Sequence, residues 1–584
     1  MLHEPQGGSS PVRRAVLLVA VMAVALGVRL YSASYAQNIA SDGTVYLVMA
    51  RQLAQDSTRA VAQGYRYHPA YAAAVAAVAG PLRLDWPDGW IAAARGISIA
   101  SSLLTLAMVY FFAARMFNRP IAIVTALFLS LAMGNIEVGG DVLSDPFAMA
   151  MAMSAIVAGL RCEQAVRDKS WTAVALAASV GLLAGLGYLT RPEELIAAGV
   201  AVLLLLRVRP ADGRQRAIQW TAIAAIVAAT LICVLPYATA IGGLTHKKSF
   251  SDFVLAGGDR TMLAHASATP QLLEAVRRVI DRYRASVGTP ISVLGLVCLL
   301  TWFGRYALRL RLGDKAVIRP AGSPMIAMVT VAVVLGIVLT MLEYNHLHLQ
   351  PDGRWSERYI SDRHGMLPGL VLAPCAGAGL VILIQLTLWL AGIVGRRLAR
   401  IAITGPKALQ ALAAAPIKLL AGRPQVAAYL WLAGIVVALS FNAFRIPHEG
   451  KACYRRAGEE IRQRFGAGHA VLADNCWVPF FAGAPAGQFQ TGSFEPCMFE
   501  PRDFVPDKLV ELATSRGYEF LELSMSKSEP ADKADLMAAV RADGRFEPLL
   551  VLQSARTRQR PPRTQEAWVF RIVRQPATTL SQAR

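Results

Sequence analysis

Residues 70–79 read AYAAAVAAVA, ten apolar residues held between His68-Pro69 and Gly80-Pro81. Whether this stretch crosses a membrane decides the side on which everything after it lies. A helix of this length reaches about 15 Å, half a hydrocarbon core, so length favours an interfacial or re-entrant helix over a span. Eleven longer apolar runs surround it, at 15–31, 97–113, 121–134, 146–160, 171–189, 195–206, 217–243, 289–304, 324–342, 366–395 and 425–442. If 70–79 does not cross, the loops at 115–119, 161–170, 207–216, 305–320 and 396–424 share one side and hold twenty Lys and Arg. The opposite short loops at 136–145, 190–194 and 343–365 hold none, one and three. That asymmetry rejects the extra crossing and puts the N-terminus in the cytoplasm.

Composition agrees. Of 584 residues, 55% are hydrophobic and 17% charged, with a mean hydropathy of +0.41, which excludes a disordered chain, a coiled coil and an ordinary cytosolic enzyme. The net charge of +20 is accounted for by inner loops, so it does not point to nucleic acid. The expected fold is a mainly α, polytopic membrane protein of about 11 transmembrane helices. It divides into a transmembrane domain, 1–445, and a small extracytoplasmic α/β domain, 446–584. The tail alternates helix-like stretches such as AGEEIRQRF with strand-like ones such as YEFLELS and AWVFRIV. Residues 15–31 also have the length of a signal-peptide core with cleavage near Ala36, which would leave the other loops in place. Cys476 and Cys497 lie in the tail, where one disulfide is open as an alternative.

This topology gives a long first outer loop, 32–90, and a second, 244–288, with seven basic residues on the side where few are expected. The ionisable groups collect on that face. In SDGTVYLVMARQLAQ, Asp42 opens a helix whose Val45, Val48, Met49 and Leu53 form an apolar stripe. The expectation is a helix lying flat on the membrane surface, with Asp42 as either an N-cap or a reactive group. EVGGDVLSDPF places Asp141 and Asp145 in a short loop with no basic residue, a costly arrangement without a cationic partner. Arg95 and Arg191, at the outer ends of spans, are candidate partners, with snorkelling as the plain alternative. Lys247 and Lys248 suit a phosphate-bearing ligand or lipid headgroups. Arg358 joins them in the loop that also carries His346 and His348, whose spacing is too short a signal for a metal.

Five stretches in order, SDGTVYLVMARQLAQ, GYRYHPAYAAAVAAV, RGISIASSLLTLAMVYFFAARMFNRP, VLSDPF and GLLAGLGYLTRPEEL, resemble the GT-C superfamily of polytopic glycosyltransferases over about residues 10–210. The likeness is to the branch of protein O-mannosyltransferases and lipid A aminoarabinose transferases. It implies that Asp42 is a general base, that Asp145 is a second acidic group beside the site, and that Arg95 lies near this acidic centre. Tyr46 and His68 fall in matched stretches as candidate substrate contacts. The chain departs from many members in having Gly43 where a Glu is common, which argues against a role for two adjacent carboxylates.

The expected reaction moves a sugar from a polyprenyl phosphate to a hydroxyl acceptor on a glycolipid, glycan or protein. Phosphate leaves without an acid, so the site needs a base and cations: Asp42, with Arg95, Arg191, Lys247, Lys248 and Arg358 as the cation pool. Direct displacement inverts the anomeric centre. A divalent metal is neither required nor excluded by these residues. A transporter and a non-catalytic membrane scaffold are the alternatives. The transporter predicts charges in mid-span, whereas most here sit at span ends.

Overall fold

The computed structural model describes residues 11–55, 58–65, 67–245, 268–308, 322–347, 361–401, 424–489, 505–526, 531–556 and 563–573. Lys247, Lys248, His348, Arg358 and Cys497 lie outside these residues, and nothing of the His346 side chain is described.

The long segment after α1 (Pro11–Tyr35) holds three helices, α2 (Ser41–Leu53), α3 (Thr58–Gly64) and α4 (Ala70–Ala79). None is long enough to cross, as the charge pattern required. The bundle continues through α5 (Asp88–Met116), α6 (Arg119–Leu131), α7 (Met133–Gly140), α8 (Asp145–Arg167), α9 (Thr172–Tyr188), α10 (Ile196–Leu206) and α11 (Gly213–Ile241). It is completed by α12 (Ala268–Val287), α13 (Thr289–Leu308), α14 (Gly322–His346), α15 (Met366–Ile401) and α16 (Pro424–Ala443).

Every one of the eleven apolar runs is helical, because residues apolar on all faces satisfy their backbone only inside a helix when water is absent. The count of eleven crossings is not confirmed. Among the described residues six helices are long and apolar enough to span, and at most eight if the bent pairs α6–α7 (63°) and α12–α13 (115°) each count once. The remainder are short for stated reasons. Between α9 and α10, Arg191 is extended before Pro192, which disfavours helix at the preceding residue and splits one apolar region into two. Between α6 and α7, Ala132 is extended at φ −68°, ψ 119°, which turns the chain.

The basic outer loop also differs from expectation. Its second half is the amphipathic helix α12, where Arg278 is buried between Glu274 at 2.8 Å and Glu343 of α14 at 2.9 Å. Arg277 pairs with Glu274 and Arg284 with Asp281, so three of that loop's basic residues have carboxylates of the protein itself as partners.

After α16 come α17 (Ala452–Phe465), β1 (Val471–Ala473), α18 (Trp477–Ala482), α19 (Pro506–Arg516), β2 (Phe520–Ser526), α20 (Ala531–Ala542), β3 (Phe546–Arg556) and β4 (Arg563–Ile572). The sheet order is β1-β2-β4-β3, with β1 parallel to β2 and the other pairs antiparallel. The stretches read as strands are strands. Two helices, α18 and α19, were not anticipated.

This region settles where α2 goes. Gly43 to Ala50 are buried on every face, not along a single stripe. Tyr71 and Val75 of α4 pack on one side, and Trp477, Phe480 and Phe481 of α18 belong to the same apolar core. The helix is therefore an interior element, covered by aromatic residues more than 400 positions away, and not a surface helix with one face in lipid. The Trp477 indole donates to the Ile39 carbonyl at 2.8 Å, and Asn38 donates to the Lys451 carbonyl at 3.1 Å, tying both ends of the contact.

Candidate active site

Asp42 stands in the first turn of α2, whose N-cap is Ala40 and has no side-chain cap, so the carboxylate is not a helix cap. It faces two donors instead. Tyr67 donates its hydroxyl to Oδ1 at 3.0 Å, and Arg363 donates Nη1 to Oδ2 at 2.8 Å. Arg363 lies in the 3-10 turn Asp362–Gly365 that leads into α15. The same Nη1 is 3.6 Å from Oδ2 of Asp145, and Arg191 meets the other oxygen of Asp145 at 2.7 Å. Asp145 is fully buried at the start of α8, with Pro146 behind it. The four groups form an alternating chain, Asp42, Arg363, Asp145, Arg191, which offsets part of the cost of burying the carboxylates.

Burial pushes the Asp42 carboxyl up, but the charge and hydrogen bond of Arg363, the Tyr67 hydroxyl and the charge of Arg191 outweigh it, holding the group below the ordinary carboxylate value. Asp42 is therefore ionised at neutral pH. The Arg363 guanidinium responds in the opposite sense: burial lowers it, and the charges of Asp145 and Asp42 raise it net. Glu194, buried beneath Arg191, goes the other way. Burial and the charge of Glu193 overcome Arg191 and push it up to about 8, so it is largely protonated at neutral pH.

Asp141 is occupied on both oxygens. Oδ1 accepts from the backbone of Ala40 at 3.2 Å and Val142 at 2.7 Å, and Oδ2 meets His448 Nε2 at 2.7 Å. His448 has φ 54°, a left-handed conformation costly for a residue with a side chain, and this contact fixes it there. Beside this clamp lies a cavity of about 600 Å³ lined by Ser41, Asp141, Arg363, Arg445, His448 and Lys451. Lys451 also stands 4.2 Å over the Trp477 ring.

The remaining predicted residues are dispersed. Arg95 donates to the carbonyls of Ala33 at 2.9 Å and Asn38 at 3.0 Å, pinning the chain between α1 and α2. Tyr46 is buried, its hydroxyl 2.7 Å from Ser144 Oγ and its ring edge-on to Tyr67, so it supports the tyrosine that holds Asp42. His68 is buried among Tyr188 and Tyr237 and bonds Thr245 at 3.1 Å, away from the cavity. Among the described residues no three His, Cys, Asp or Glu side chains gather to hold a metal. Sequence reading missed Arg363, five positions from the Arg358 it chose in the same loop, and the segment Arg445–Lys451. A run of RIPHEGK directly after the last apolar stretch was the available signal.

Gly43 explains the missing second carboxylate. A Cβ there would lie 2.7 Å from the Val142 carbonyl oxygen, so a side chain at this position would force the backbone apart.

The bundle, its non-crossing first-loop helices and its terminal sheet are similar in fold to GT-C glycosyltransferases of known structure, the likeness that the ordered motifs of residues 10–210 carried. Residues 88–239, from α5 to α11, match the family model of dolichyl-phosphate-mannose-protein mannosyltransferases. Among solved structures the chain is similar to ArnT from Cupriavidus metallidurans in the apo state, with TM-score 0.53, 14% identity, and 96% of this chain and 98% of that one covered. The same protein bound to undecaprenyl phosphate gives 0.52, 14%, 96% and 98%. The oligosaccharyltransferase AglB from Archaeoglobus fulgidus, in complex with an inhibitory peptide and a dolichol-phosphate, gives 0.51 and 11%, covering 92% of this chain and 73% of its own. No curated protein sequence matches.

Proposed function

We propose that this chain transfers a glycosyl group from a polyprenyl phosphate to a hydroxyl acceptor, at the outer face of the cytoplasmic membrane. The observation that carries the reading is the Asp42–Arg363 pair, 2.8 Å apart beside a cavity whose lining carries Arg363, Arg445 and Lys451 together with Glu137 and Asp141, on a fold similar to that of ArnT. Support for the donor class comes from the undecaprenyl phosphate bound to ArnT and the dolichol-phosphate bound to AglB.

In the proposed step, Asp42 takes the proton of the acceptor hydroxyl as its oxygen forms a bond to the anomeric carbon. The bond from that carbon to the phosphate oxygen breaks, its electron pair leaves on the phosphate, and the centre inverts. Arg363 serves twice. With no donor bound it holds Asp42 ionised; a donor phosphate in the cavity competes for the guanidinium, and burial then raises the basicity of Asp42 when the acceptor is present. Arg191 acts through Asp145 as a positioning residue for Arg363. Residues 1–445 form the catalytic part in this reading, and 446–584 an extracytoplasmic domain that closes over α2. The test is turnover of a defined polyprenyl-phosphate sugar by purified protein in detergent, with the anomeric configuration of the product read by NMR. Inverted product supports direct displacement; retained configuration overturns it.

A further inference from the structure

At the end of the bundle opposite Asp42 lies a second hollow, about 480 Å³, where the start of α1, the end of α5, the start of α6 and the end of α8 meet. Its walls are apolar, with Leu18, Tyr110, Phe112 and Leu160 among them, and its rim carries Arg115, Arg119 and Arg161. Among the described residues no carboxylate lines it. Of the other basic residues at this end, Arg167 pairs with Glu163 at 2.7 Å and Lys169 with Asp212 at 2.5 Å, while Arg207 and Arg209 are also without an ion pair among the described residues but do not line this hollow. The three rim arginines make no ion pair among the described residues. Arg115 is held by a neutral contact, donating to Gln164 Oε1 at 3.3 Å, which orients the guanidinium without neutralising it.

We infer that this hollow binds one anionic glycerophospholipid of the leaflet opposite the proposed active site. Three guanidiniums without a counter-charge match a phosphodiester, to which arginine donates in a planar fork. The apolar walls match acyl chains and exclude a free anion as the better ligand. Their membrane position continues onto the exposed apolar faces of α1 and α5, where Val16 and Phe111 are uncovered. Basic pockets between helix ends at a membrane surface hold acidic lipids for this reason. Span-end arginines that only snorkel to the interface would bind no lipid in preference to another.

The experiment is native mass spectrometry of the purified full chain in neutral detergent, titrated with phosphatidylglycerol and, separately, with phosphatidylcholine. Arg119→Gln/Arg161→Gln removes two exposed side chains, so folding is undisturbed. Arg207→Gln/Arg209→Gln removes equal charge from the same end but outside the hollow. The expected result is a single retained phosphatidylglycerol whose affinity falls roughly 30-fold in the first variant only. Equal retention of phosphatidylcholine, equal loss in both variants, or no loss in the first would each overturn the assignment.

Discussion

Arg363 reaches Asp42 across 321 positions of chain and closes on its carboxylate at 2.8 Å, while the same nitrogen stays 3.6 Å from Asp145. One guanidinium thus bridges the first outer loop, the start of α8 and the turn before α15. The arrangement holds Asp42 ionised and, in the proposed reaction, supplies the cation for the departing phosphate.

Replacing Arg363 by Met separates those two roles. Burial is then the largest influence left on Asp42 and it acts upward, so the carboxyl titrates above its present, depressed position. The rate depends on the ionised form, so the acid limb of the kcat/KM profile moves to higher pH. At neutral pH kcat/KM drops roughly 100-fold from the lost phosphate contact. A limb that stays in place while the rate falls would detach Arg363 from Asp42.

Gly43→Ala forces a methyl into the Val142 backbone, which a flexible side chain cannot relieve. We expect a loss of roughly 1–3 kcal/mol of stability. Transfer falls by up to about 100-fold as α2 shifts and carries Asp42 off its partners. Thermal unfolding in detergent, beside turnover, checks both.

Glu194→Gln keeps size and removes a charge that burial resists. A carboxyl raised from 4.5 to about 8 subtracts stability as pH climbs through that window, because the unfolded chain ionises first. The variant therefore melts with the wild type at pH 4 and a few degrees higher at pH 8. Equal melting temperatures at both values would show that Glu194 is not held neutral.

Much of the fold was legible in the sequence because lipid imposes a simple rule. All-round apolar runs become helices, and twenty basic residues mark one side of them. Asp42 and Asp145 were legible through motif order. What escaped were relationships no local pattern encodes. Arg358 and Arg363 share a loop and a charge, and only the turn entering α15 decides that Arg363 points at Asp42. The stripe on α2 was real, yet Gly43 and Ala50 are small enough for its other face to be buried too, under aromatic residues near the far end of the chain. Arg95 was read as a partner for carboxylates; its charge does act on Asp141, while its hydrogen bonds go to backbone carbonyls, a use that charge spacing does not reveal. For α19, Pro506 and Gly517 stood as start and stop signals that were passed over.

The orientation has its own test. A phosphatase fused after Arg584 should be active and a cytoplasmic reporter at the same position inactive. The reverse would place Asp42 on the cytoplasmic side and remove the argument for a lipid-carried donor.

The central claim, that Asp42 is the base, rests most directly on Asp42→Asn. The amide has the same size; with its oxygen accepting from Arg363, its NH2 donates to the Tyr67 hydroxyl, so insertion and folding are retained, but it takes no proton at neutral pH. The measurement is single-turnover transfer from a saturating polyprenyl-phosphate sugar, with donor binding recorded on the same sample. The account predicts donor binding within a few-fold of wild type and transfer reduced by at least about 100-fold. Transfer at the wild-type rate would contradict it and leave Asp42 as no more than an anchor for Arg363.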